Sequence, residues 1–188
     1  MSSLGKRRES DAMTLMMRDF IVELIDDRTD EFIVILRGPT GSPYKGGVWK
    51  LHVQLPDAYP YKPPSITFMN KIFHPNIHEH LGTICLNVID KDWSPAYEFV
   101  KVFDIILPQL LLYPNPSHGL NEDAIFLLMT NKEEFEEKVK EYCVLYAKEE
   151  DIIGSSSRAE ILDGDFSDSE DASSDDNSED AVAGVLEL

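Results

Sequence analysis

The chain has 188 residues, 43% of them apolar and 28% charged, with 17 basic against 35 acidic side chains and a formal net charge of -18. Residues 149–188 hold 14 acids and one base, Arg158, which leaves 21 acids and 16 bases for an ordinary globular body over residues 1–148. The composition argues against direct nucleic-acid binding, because affinity for phosphates rests on Lys and Arg and no basic cluster exceeds Lys6-Arg7-Arg8. No apolar run approaches the roughly 20 residues that span a bilayer, and the N-terminus shows no signal-peptide core, so no membrane role is expected. Two distant cysteines, Cys85 and Cys143, make no disulfide framework; a cytoplasmic or nuclear setting is the expectation.

In chain order, residues 1–9 are polar and read as a flexible N-terminus. Ser10 or Asp11 is placed to cap a short helix whose Met13, Met16, Met17 and Phe20 recur at helical spacing. Asp26-Asp27-Arg28-Thr29-Asp30 reads as a turn between strands near residues 20–24 and 31–37. Residues 47–55, with Val48, Trp49, Leu51 and Val53, make a third strand and residues 65–69 a fourth, so short turns predict an antiparallel meander. Residues 74–96 follow neither period and predict a long ordered loop of the functional kind. Helical period returns from about residue 98, with Pro108 expected to kink the helix or restart its last turn, and two further helices fall near 122–130 and 132–147. Strands first and helices afterwards make the fold class α+β, one sheet with helices against it. The domain is expected to run over residues 10–148. From Glu149 onward eight serines alternate with acids and few large apolar residues remain, which predicts a disordered acidic, serine-rich tail over 149–188.

The stretch that carries chemistry is His74-Pro75-Asn76-Ile77-His78-Glu79-His80-Leu81-Gly82-Thr83-Ile84-Cys85-Leu86-Asn87, followed by Trp93-Ser94-Pro95-Ala96. By residue type Cys85 is a nucleophile, a zinc ligand or a plain buried thiol. Zinc is disfavoured because structural sites draw ligand pairs from separate elements, whereas His74, His78, His80 and Cys85 lie in one loop; the expectation is no metal. The irregular segment and the flexible Gly82-Thr83 before it set Cys85 apart from Cys143, which sits on a regular amphipathic helix.

The ordered signatures Tyr59-Pro60-Tyr61-Lys62-Pro63-Pro64, His74-Pro75-Asn76, Cys85, Trp93-Ser94-Pro95-Ala96 and Tyr113-Pro114-Asn115-Pro116 resemble the catalytic domain of ubiquitin-conjugating enzymes, over about residues 10–148. The acidic, serine-rich end is similar to the H-type branch of that family. The resemblance implies a transferase in which Cys85 takes ubiquitin from the activating enzyme as a thioester and passes it to substrate lysines, usually with a ligase of the RING type. It implies no cofactor, ATP being consumed by the separate activating enzyme. Sulfur suits both steps, since its thiolate is a strong nucleophile and a good leaving group. By the same resemblance Asn76 donates to the oxyanion region or braces the loop that forms it, with His74, Pro75 and Trp93 as motif support. Tyr61, Pro63, Pro95 and Ala96 then form the ligase dock, and Lys6, Arg7 and Arg8 contact the activating enzyme.

Three departures from the family pattern stand out. Asn76 precedes Cys85 by nine positions rather than eight, and Asn87 and His118 stand where many relatives place acids. A neutral His118 is expected to help deprotonate the incoming lysine, with desolvation by Tyr113 and Leu120 as the alternative. The tail is expected to attract basic proteins such as histones, and the acid-flanked Ser167, Ser169, Ser173, Ser174 and Ser178 look like acidophilic-kinase sites. Two other functions remain open on sequence: conjugation of a different ubiquitin-like modifier, and a non-catalytic ubiquitin-binding adaptor of the same fold.

Overall fold

The computed structural model describes residues 3–84 and 93–159, and side chains up to residue 154 in the last helix. Its elements are α1 (Ser3–Met17), β1 (Val22–Ile25), β2 (Arg28–Arg37), β3 (Val48–Gln54) and β4 (Ser65–Phe68), then a π-helical turn (Val102–Ile106) running into α2 (Leu107–Leu112). A short 3-10 turn (Pro116–His118) precedes α3 (Glu122–Thr130), α4 (Lys132–Tyr146) and α5 (Glu149–Ala159).

The sheet is an antiparallel meander in the order β1-β2-β3-β4. Asp26 and Asp27 both take positive φ, 51° and 56°, which makes the two-residue turn whose twist matches the strands it joins. That turn is shorter than the five-residue one expected, so β2 begins at Arg28 rather than near Glu31. The period of two then sets one face inward, although Ile35 and Val48 on the opposite face are buried as well. Phe32, Val34, Leu36, Trp49, Leu51, Val53, Ile66 and Phe68 are all buried, and the register pairs Phe32 with Val53, Val34 with Leu51 and Leu36 with Trp49. Residues of the turn before the π-helix and of the π-helix itself cover this face: the Phe99 ring meets Phe32 edge-on at 6.4 Å, and Phe103 meets Phe99 at 5.4 Å.

Pro108 sits in the first turn of α2, directly after the π-helical turn, so the helix restarts there as Pro108 predicts. Asn70 clips the far end of the chain to the sheet. Its Oδ1 accepts from Lys50 N at 2.9 Å, while its Nδ2 donates to Val48 O at 3.0 Å and to Tyr146 O at 2.8 Å. The Val48 amide donates to Ala147 O at 2.9 Å beside it.

Both ends of the domain differ from expectation. The first helix starts at Ser3, so residues 3–9 are not a flexible N-terminus and Ser10 and Asp11 are interior residues rather than caps. Its buried face is Asp11, Ala12 and Leu15, whereas Met17 on the expected apolar stripe is 83% exposed. The extra turns are held by the i,i+4 pair of Arg7 with Asp11 at 2.6 Å and by a tertiary bond invisible to local pattern, from Arg7 to Tyr97 O at 2.8 Å. At the other end residues 149–159 are helical, not disordered. Glu149, Glu150 and Asp151 occupy the first turn, where carboxylates offset the exposed amides, and Arg37 pairs with Glu149. Residues 160–188, with all five candidate phosphoserines, lie outside the described residues.

The expected loop after β4 opens with a tight hairpin. Ile77 bridges Ile84, the His78 amide donates to Thr83 O at 2.9 Å and the Gly82 amide to His78 O at 2.8 Å. Gly82 is required here: its φ is +67°, and a Cβ would fall 1.9 Å from the Phe68 carbonyl oxygen. Gly82→Ala is therefore expected to destabilise the domain by about 2 kcal/mol or more, as strain and a backbone clash add; urea denaturation at constant m-value measures it.

Candidate active site

Three consecutive residues after Phe73 are buried and fully engaged. His74 Nε2 lies 3.0 Å from Leu110 O, which can only accept, and Nδ1 lies 2.9 Å from the Asn76 amide, which can only donate. The ring is thereby fixed as the neutral Nε2–H tautomer. Pro75 O accepts from Leu120 N at 2.7 Å and from Asn121 N at 3.2 Å. Asn76 Nδ2 donates to Asn115 O at 2.7 Å and to His118 O at 2.9 Å, while Oδ1 accepts from Asn115 N at 2.8 Å. These bonds hold the 115–121 segment beside the start of the Ile77–Ile84 hairpin. Cys85 follows that hairpin by one residue. Cys85 and Asn87 both lie outside the described residues.

Around this frame the 113–120 segment presents exposed groups. Tyr113 is 72% exposed, and Leu120 and the His118 side chain also face outward, while the His118 carbonyl faces Asn76. Gly119 permits the approach, since a Cβ there would sit 2.1 Å from Ile125 Cδ1. Two further anchors were missed by the sequence reading, the first of them without any local signal. Tyr142 Oη donates to Glu79 Oε1 at 2.5 Å, tying the hairpin tip to α4. Asn121 Oδ1 accepts from Ala124 N at 3.0 Å and caps α3 where it leaves the segment.

The two proline-containing loops form one surface. Trp93 Nε1 donates to Pro60 O at 2.8 Å, and its ring lies 5.7 Å from Tyr59 and 5.5 Å from Tyr97. Tyr61 is 71% exposed beside the half-buried Pro63, and Pro95 and Ala96 are exposed on the second loop. The basic residues of α1 divide. Arg7 is spent on Asp11, Pro95 O and Tyr97 O, Arg8 lies within 3.6 Å of Asp30 and 3.5 Å of Asp57, and Lys6 is exposed.

Among the described residues no group of His, Cys, Asp and Glu stands in an arrangement that would hold a metal ion. Both nitrogens of His74 are already committed. No described helix is long and apolar enough to cross a membrane. Burial pushes the Cys143 thiol up to about 11, so it stays protonated at neutral pH.

Burial also holds the His74 imidazole down to about 4, against an ordinary value of 6.5. The unfolded chain therefore takes up this proton first as pH falls. The stabilisation is complete above pH 6.5 and is lost as pH drops toward about 4, by an amount on the order of 3 kcal/mol. A stability–pH series over that window is expected to show this loss, and His74→Gln to flatten it.

The family model described as ubiquitin-conjugating enzyme matches residues 6–143. The chain is 57% identical over 152 residues to the ubiquitin-conjugating enzyme E2-23 kDa of Triticum aestivum, covering 81% of this chain and 83% of that one. It is 50% identical over 188 residues to ubiquitin-conjugating enzyme E2 5 of Arabidopsis thaliana, along the full length of both. Among solved structures, the E2 domain of a Toxoplasma gondii ubiquitin conjugating enzyme superposes with a TM-score of 0.70 at 26% identity, covering 76% of this chain and 98% of that one. With the meander sheet, the His74-Pro75-Asn76 frame and the hairpin leading to Cys85, these matches place the chain in the ubiquitin-conjugating enzyme family.

Proposed function

We propose that Cys85 is the residue through which this conjugating enzyme carries ubiquitin. The thiolate attacks the thioester carbonyl of ubiquitin on the activating enzyme; the new S–C bond forms and the old one breaks, releasing the activating enzyme's thiolate. A substrate amine then attacks the same carbonyl, the C–N bond forms, and Cys85 leaves as thiolate while the amine gives up its proton. The observation that supports this assignment best is the Asn76 amide, whose three hydrogen bonds frame the hairpin that ends one residue before Cys85.

In this frame Asn76 acts as a brace. Both of its N–H groups are engaged, so donation to an oxyanion would require release of Asn115 O or His118 O. His74 and Pro75 support it, and Asn87 is the polar neighbour two residues beyond the sulfur. The exposed Tyr61, Pro95 and Ala96, with Pro63, are the dock for a RING-type ligase. Lys6 is the basic residue of α1 best placed for the activating enzyme, because Arg7 and Arg8 hold the fold. The acidic end, as in the H-type branch, serves basic substrates such as histones, with Ser167, Ser169, Ser173, Ser174 and Ser178 as modification sites. No cofactor is required, and the setting is cytoplasmic or nuclear.

Incubation with activating enzyme, ATP and ubiquitin is expected to give a reductant-sensitive adduct that Cys85→Ala abolishes and that a rival modifier does not form. An adduct that survives in Cys85→Ala overturns the assignment.

His118 is the proposed aid to the attacking lysine, which at an ordinary pKa of about 10.4 is almost wholly protonated at neutral pH. His118→Ala is expected to slow discharge to free lysine about 10-fold or more near neutrality and less at high pH, in line with the loss of a general base. A pH–rate profile that His118→Ala leaves unchanged between pH ~6 and ~9 removes His118 from the mechanism.

A further inference from the structure

Where α4 meets the turn before β3, an apolar hollow lies open on the surface. Pro43, Cys143 and Val144 line it, with Val144 60% exposed, and Lys45, Lys140 and Lys148 stand around it. Among the described residues none of the three lysines has an ion-pair partner. The hollow continues, through the shared Gly46 and Lys148, into a second one along the start of α5. Glu149 and Glu150 line that second hollow, and Glu149 is paired with Arg37.

The chain beyond Ala159 has the complementary chemistry. Residues 160–188 contain 11 acids and no base, and their first seven, Glu160-Ile161-Leu162-Asp163-Gly164-Asp165-Phe166, interleave acids with large apolar side chains. Reach is sufficient: α5 has 11 residues and so is about 16 Å long. Seven extended residues span at most about 25 Å, enough to run back along α5 to Lys148. A purely acidic stretch would suit a bare lysine cluster; here apolar residues meet an apolar floor and acids meet its basic rim.

We propose that residues 160–166 fold back in the same molecule and dock in this hollow. Phe166 covers Val144 and Cys143, Leu162 lies over Ile153 in the hollow along α5, and Asp163 and Asp165 face the rim formed by Lys148, Lys45 and Lys140. The inference does not depend on which residue carries ubiquitin. It assigns the acidic end a resting place on its own domain, from which a more basic partner would have to displace it.

The test uses the full chain throughout. Amide spectra of the 15N-labelled protein are compared with a tail variant, Leu162→Ser/Asp163→Asn/Asp165→Asn/Phe166→Ser, whose changes lie outside the domain and leave its fold intact. The expected result is a shift of the Lys45, Gly46, Val144 and Lys148 amides, and a severalfold faster alkylation of Cys143 in the variant. Lys45→Glu/Lys140→Glu/Lys148→Glu, all at exposed positions, should in turn return the residue 160–166 amides to random-coil shifts. High salt should weaken the docked state in the parent chain. Identical spectra for parent and tail variant overturn the proposal. Differences that grow with protein concentration also overturn it, because they assign the hollow to the tail of a second copy.

Discussion

Asn76 is fully buried, and a buried amide group left without a partner costs about 1–3 kcal/mol. Its two donors and its acceptor are satisfied only if the 115–118 backbone lies against it, so the placement of that segment is enforced by desolvation rather than by any packing preference of its own. The same logic runs outward. Pro75 O is satisfied by the amides of Leu120 and Asn121, and His74 is satisfied by Leu110 O and the Asn76 amide. One short buried run therefore joins the end of α2, the start of α3 and the hairpin that leads to Cys85.

A second polar hub does comparable work among α1 and the two proline-containing loops. Arg7 lies between Asp11, on its own helix, and two carbonyls of the 95–97 loop, while Asp11 also accepts from Tyr59 Oη. Trp93 joins that loop to the one at Pro60. The exposed Tyr61, Pro95 and Ala96 are thus carried on backbone already held from beneath, and a rigid surface loses little conformational entropy when a partner binds. The helix that supplies Arg7 is consequently part of the surface and not a separate arm.

The two anchors differ in chemistry for a reason. The Asn76 frame is neutral throughout, and a neutral amide keeps its bonds while charge develops and decays nearby. The Arg7 hub is ionic and only partly buried, so solvent tempers its desolvation. Asn70 provides a third fastening, binding the end of α4 to β3 and so fixing where the chain enters α5.

Short turns between apolar, β-branched segments were enough to read the meander, and the register then sets Phe32, Val34 and Leu36 opposite Val53, Leu51 and Trp49. Pro108 marked the break before α2, and the ordered tripeptides marked the region of the site. What the one-dimensional pattern did not contain were the bonds between residues distant in sequence. Arg7 reaches Tyr97 across 90 positions and extends α1 to Ser3, and Tyr142 reaches Glu79 across 63 and holds the hairpin tip. Arg37, paired with Glu149, fastens to the sheet the first turn of a helix whose composition alone suggests disorder. Local alternation is written in neighbouring residues, and the amino-acid sequence by itself determined the elements it encodes. Burial of polar groups is defined only once the chain has closed on itself, and only the tertiary structure decided which of them meet.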